Sequence, residues 1–114
     1  MSAMIGLEVH EKEVHYIFAF YLNGLYDALN RHYRCPKKVR QLIDLGDIIE
    51  LHGSINETQK FACGENYSIY NNGGEGFLKN SGYYVRLVFK NGTWYVCENA
   101  RKGSKLLSEY LRKD

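Results

Sequence analysis

The string His10-Glu11-Lys12-Glu13-Val14-His15 gathers imidazoles and carboxylates, the groups that ligate zinc or pass protons. A zinc-protease helix needs its two histidines four apart, on one face. Here they are five apart, about 140° around a helix, so the motif has one residue too many. His32 and His52, even with Glu50 nearby, complete no ligand set, and His32 reads as a hydrogen-bonded residue at the edge of the core. Cys35, Cys63 and Cys97 include no close pair of the kind that binds zinc or cycles between thiol and disulfide. No metal, cofactor, activated nucleophile or carboxylate pair is expected, and none of these spacings describes an enzyme.

A second chemistry is anion recognition. Arg31-His32-Tyr33-Arg34-Cys35-Pro36-Lys37-Lys38-Val39-Arg40 contains five cations and no acid. Arg31, Arg34, Lys37, Lys38 and Arg40 would form a phosphate-contacting corner, with Tyr33 stacking on a base. Arg31 and Arg34 also suit a helix C-terminus, where the dipole favours cations. Lys37 and Lys38 would open the next helix, where it disfavours them.

The third candidate is carried by Tyr84-Val85-Arg86-Leu87-Val88-Phe89-Lys90, Asn91-Gly92 and Thr93-Trp94-Tyr95-Val96-Cys97. Asn-Gly between two runs rich in β-branched and aromatic residues predicts a type I′ hairpin. A two-residue turn fixes the register: Lys90 opposite Thr93, Phe89 opposite Trp94, and so on to Arg86 opposite Cys97. Val85, Leu87, Phe89, Trp94 and Val96 then face a core. Tyr84, Arg86, Lys90 and Tyr95 fall on the other side, an aromatic and basic surface able to bind a small anionic ligand such as a nucleotide. Cys97 shares that side with Arg86, a cation of the kind that lowers a thiol's pKa.

Elements must position these groups. Val14, Ile17, Phe18, Tyr21, Leu25, Ala28, Leu29 and His32 lie within about 60° of one line at 100° per residue, which predicts a long amphipathic helix from about Val9 to Tyr33. Tyr16 and Phe20 fall on its far side and need cover, which predicts a homodimer. Pro36 opens a second, short helix that Gly46 closes. Strands are expected over Ile48–Ile55, Gln59–Cys63 and Tyr67–Tyr70, the last two as a hairpin. Residues 71–82 read as a glycine-rich loop that fits no phosphate-loop pattern. Phe77 and Leu78 would be its apolar binding tip. Ser104 caps a short C-terminal helix. The expected fold is one α+β domain over residues 1–114, its helices on a curved antiparallel sheet of four or five strands. This order resembles cystatin-like and nuclear-transport-factor-like cones in layout, an analogy that no motif carries.

The totals set bounds. A chain of 114 residues with 45% hydrophobic and 25% charged residues has ordinary globular composition, and ten tyrosines stand out in it. The net charge of +2 does not demand a nucleic-acid partner. The longest apolar run is too short to span a bilayer, and no signal peptide is read at the N-terminus. A cytoplasmic location follows as the expectation, and the three glycosylation sequons are read as chance. The function expected is that of a small binding or inhibitor module without catalytic activity, of the phage anti-defence or immunity-protein type. Tyr16, Phe20, Tyr26 and Phe77 would engage a protein partner. The alternative is nucleic-acid binding by the basic corner as part of a helix-turn-helix, with the Asn91-Gly92 hairpin as a wing.

Overall fold

The computed structural model describes residues 2–10, 12–61, 66–79, 84–99 and 103–111. Its strands are β1 (Ala3–His10), β2 (Glu13–Ala19), β3 (Ile48–Glu50), β4 (Gln59–Lys60), β5 (Ser68–Tyr70), β6 (Val85–Lys90), β7 (Thr93–Cys97) and β8 (Lys105–Leu106). Four short helices accompany them: α1 (Leu25–His32), α2 (Pro36–Asp44), α3 (Gly73–Lys79) and α4 (Leu107–Leu111). The strands form one mixed sheet in the order β4-β3-β2-β1-β6-β7-β8, with β5 beside the first half of β2. β1 runs parallel to β6 and β2 parallel to β3, while the remaining pairs are antiparallel.

The sheet is covered on both faces. Ile5, Ile17, Leu87 and Val96 pack beneath Leu25, Leu29, Val39, Leu42 and Leu107 of α1, α2 and α4. On the opposite face Met4, Val14, Val88 and Cys97 pack beneath Phe77 and Leu78 of α3. This two-sided burial explains β1: a central strand hidden from water on both sides reads as a continuous apolar run rather than an alternating one.

It also overturns the long N-terminal helix. Residues 13–19 are strand, and helix begins only at Leu25, after Gly24 at φ 71°. Val14 and Ile17 are both fully buried, but against opposite faces of the sheet. Apolar residues three and four apart therefore arise from a strand covered twice, and they imitate a helical stripe. With that helix gone, the cone-like layout and the four- or five-stranded antiparallel sheet are replaced by eight strands of mixed direction.

Other boundaries moved less. Pro36 opens α2 with extended Cys35 as its N-cap, as expected from proline's tolerance of a helix start. Only Ile48–Glu50 of the third segment is strand. β4 pairs with β3 and β5 with β2, so the two do not form a hairpin with each other. Residues 62–65, which include Cys63, lie outside the described residues. The Asn91-Gly92 hairpin has the expected register at all five pairs, from Lys90↔Thr93 to Arg86↔Cys97. Both turn residues take positive φ, 52° and 76°.

The segment read as a loop over 71–82 contains α3 instead. Residues 80–82 lie outside the described set. Gly74 and Gly76 each cost the helix about 1 kcal/mol relative to alanine, but they let it sit close to the sheet. A β-carbon on Gly74 would stand 2.8 Å from Glu8 Oε2, and one on Gly76 would stand 3.1 Å from the Tyr70 hydroxyl. Burying Phe77 and Leu78 returns about 1.5–3 kcal/mol each, enough to hold a helix that would not form alone.

Candidate interaction surface

β2 projects Tyr16 and Phe18 in succession from the α3 face of the sheet, because side chains alternate along a strand, and Phe20 follows just past its end. Each meets another ring. Tyr16 lies 5.2 Å from Phe77, Phe18 lies 5.7 Å from Tyr84, and Phe20 stacks on Phe61 at 5.3 Å. Tyr70 extends this aromatic strip beyond Phe77, at 5.7 Å. α3 covers the half around Tyr16. The other half is open: Phe20, Tyr21 and Tyr84 are 52%, 54% and 41% exposed. Phe20 and Tyr84 border a recess of about 310 Å3 lined also by Ser2, Phe18, Ala19 and Asp47, and the Tyr21 ring lies 6.2 Å from that of Phe20. Its floor is fixed where Asp47 Oδ1 accepts the Phe18 amide at 3.0 Å, and β3 begins at the next residue.

The anion-binding set does not converge. Tyr84 and Lys90 stand six residues apart, about 20 Å along the chain. Arg86 between them is committed to α3: its Nη1 donates to the Phe77 carbonyl oxygen at 3.0 Å, and its guanidinium lies 5.0 Å from the Phe77 ring centre. A cation at that carbonyl suits the dipole of the helix end. Burial lowers the Arg86 pKa from its ordinary value, opposed by Tyr16, Tyr70 and Cys97. The same burial pushes the Cys97 thiol up, against the expectation drawn from its cationic neighbour. Lys90 sits over the Tyr95 ring at 5.4 Å. At the other end of α3, Glu8 Oε2 accepts the Gly74 amide at 2.9 Å. The helix is thus held at its positive end by a carboxylate and at its negative end by a guanidinium.

The four partner-binding candidates also part company. Tyr16 and Phe77 touch each other beneath α3, and Phe77 is fully buried rather than a loop tip. Tyr16 therefore has its cover within the chain. Tyr26 is on α1, across the sheet, where its hydroxyl donates to Glu98 Oε2 at 3.1 Å and its ring meets Tyr110 edge-on at 5.4 Å. Phe20 alone of the four is open to solvent.

The basic corner exists but is partly neutralised. Arg31 pairs with Asp27 and Arg40 with Asp44, each one helical turn away. Lys38 rests over the Tyr33 ring at 5.1 Å, and Tyr33, fully buried, is unavailable for stacking on a base. Arg34 and Lys37 are exposed. His32 is exposed too, against the expected core edge, with its ring lying on Gly53.

One cluster has no counterpart in the sequence reading. Arg40 Nη1 donates to His15 Nδ1 at 3.0 Å, so His15 Nε2 carries the proton and donates to Glu13. Tyr67 stacks on the imidazole at 4.5 Å and on the Arg40 guanidinium at 4.9 Å. Both ring nitrogens are occupied, so the cluster ties β2, α2 and the approach to β5 together. The signal for it was absent while residues 13–19 were read as helix: only a strand sets Glu13 and His15 on one side. The same helical reading hides Phe18 and Tyr21, while the stacking of Phe61 on Phe20 is a long-range contact with no local signal.

No described helix is long and apolar enough to cross a membrane, and no group of three or more potential metal-ligating side chains occurs among the described residues. Fold alone does not reveal function, so any functional conclusion has to come from these surfaces. Compared with protein-family profiles, curated proteins and solved structures, the chain has no significant match to any of them.

Proposed function

We propose that the protein is a non-catalytic binding module that acts by occupying a protein partner through the open half of its aromatic strip. The observation that carries this reading is the pair Phe20 and Tyr84, roughly half-exposed at one recess, with half-exposed Tyr21 beside Phe20. Contiguous exposed aromatic surface is costly in water and typical of contact sites, where rigid rings contribute most of the binding energy. Inhibitors and immunity proteins work by such occupation. The second arm of the expectation, a small anion on Tyr84, Arg86, Lys90 and Tyr95, is weaker because α3 already engages Arg86.

Quantitative capture from cells that make the protein tests this, using wild type, Phe20→Ser, Tyr84→Ser and the distant Gln41→Ser. The expected result is one protein recovered in near-stoichiometric amount by wild type and Gln41→Ser and lost with either aromatic variant. Equal recovery by all four, or no stoichiometric protein at all, would sink the reading. A dimer that sediments as one species and dissociates on Phe20→Ser would identify the occupant as a second copy.

A further inference from the structure

Arg86 is a half-buried cation beneath α3, and its partners among the described residues are incomplete. Nη1 donates to the Phe77 carbonyl and the guanidinium plane carries the Phe77 ring, but the buried Nε has no hydrogen-bond acceptor among the described residues. No carboxylate pairs with it among the described residues; the groups that act on it are Tyr16, Tyr70 and Cys97. A guanidinium presents Nε and one Nη as a fork matched to the two oxygens of a carboxylate. Phe77 supplies a ring and one neutral oxygen, the latter at Nη1 and outside the fork that contains Nε.

The helix that supplies them is also replaceable. α3 is seven residues long and contains Gly74 and Gly76. It is held by the Glu8 carboxylate and the Lys12 carbonyl at one end, by Arg86 at the other and by the buried Phe77 and Leu78. A helix this short and glycine-rich keeps its shape only while docked.

We propose that α3 is a displaceable cover over a cryptic site for a small aromatic carboxylate. The ligand's carboxylate takes Nε and Nη2 of Arg86 together, the donor pair on the side of the guanidinium away from Cδ, and its ring takes the position of Phe77 beside Tyr16 and Tyr70. Such a ligand replaces the ring that Phe77 lays on the guanidinium, supplies the acceptor that Nε lacks and sets an anion against the cation. Its affinity is reduced by the fraction of molecules in which α3 is lifted, so loosening α3 tightens binding. This site is separate from the open half of the aromatic strip and does not depend on what occupies that half.

The test is amide hydrogen exchange of residues 74–79 at increasing N-acetyl-phenylalanine, with N-acetyl-phenylalaninamide as the uncharged control. The carboxylate is expected to speed exchange across α3 at least fivefold in a saturable way while β1 and β6 stay protected. The amide is expected to do nothing. Glu8→Gln, which frees α3 without touching Arg86, should lower the half-saturating concentration several-fold, and Arg86→Gln should abolish the response. Arg86→Gln could fail by unfolding, but the wild-type comparison of acid with amide does not depend on it. Exchange of α3 that matches β1 and β6 and ignores the acid, an equal response to acid and amide, or an unchanged half-saturation in Glu8→Gln would each overturn the proposal.

Discussion

Trp94 donates its indole N–H to the Tyr33 carbonyl oxygen at 2.7 Å, and Tyr33 in turn donates its hydroxyl to the His52 carbonyl oxygen at 2.8 Å. These two bonds fasten the end of α1 to β7 and to the segment after β3. Trp94→Phe keeps a ring in the core but leaves the Tyr33 carbonyl buried without a donor, at a cost of about 1–3 kcal/mol. Urea unfolding should show this as a lower midpoint with an unchanged slope. A second residue-scale prediction concerns alkaline pH. Burial, and then the adjacent Glu98 carboxylate, hold the Tyr26 hydroxyl well above its ordinary pKa. Hydrogen bonding to the same carboxylate pushes Tyr110 up to about 12. Because the unfolded chain loses these protons first, their contribution to stability is intact below about pH 10 and declines as pH rises from there toward the folded-state values. The urea midpoint should therefore fall above pH 10, and less steeply in Tyr26→Phe; equal slopes in the two proteins would remove Tyr26 from the account.

At the scale of elements, α3 depends on space left by a residue of β1. A β-carbon on Gly6 would stand 2.7 Å from Val14 Cγ1 and 3.2 Å from Phe77 Cε2. Gly6→Ala should destabilise the protein by about 1–3 kcal/mol and should raise exchange in α3 before it does so in β6. Uniformly faster exchange would show that the two elements do not separate. How far the elements could be read from the residues differed with their surroundings. The Asn91-Gly92 hairpin was legible to the residue pair, because its turn conformation and register are set locally by two residues. α2 was legible from Pro36 and its one apolar side. β1, β2 and α3 were not, since each owes its form to what lies across from it. β2 is covered on both faces, and α3 is a poor helix former stabilised by Glu8, Arg86 and a buried Phe77. The site followed the elements: Phe20 and Tyr84 were singled out, but their meeting at one recess depends on β2 being a strand.

For the whole molecule, the parallel pairing of β1 with β6 joins residues 3–7 to residues 85–89 at the centre of the sheet. The sheet cannot close until most of the chain is present, so refolding is expected in the millisecond-to-second range rather than in microseconds; stopped-flow mixing measures this directly. Charge works at the same scale. With a net charge of +2, and with Arg31 and Arg40 already paired with acids, a partner held by the aromatic recess should show little change in affinity with salt. Nucleic acid held by Arg34, Lys37 and Lys38 would lose affinity steeply, and titrations at low and moderate ionic strength separate the two. The chain's single tryptophan lies 5.2 Å from Phe89 on the side of α1, with the sheet between it and α3. Its emission is therefore a one-sided witness: it should brighten or shift when the helical layer comes away and stay silent when α3 alone departs. Tyrosine near-ultraviolet dichroism, drawing on Tyr16 and Tyr70, watches the other side. Melting curves from the two signals would overlay only if the layers part together.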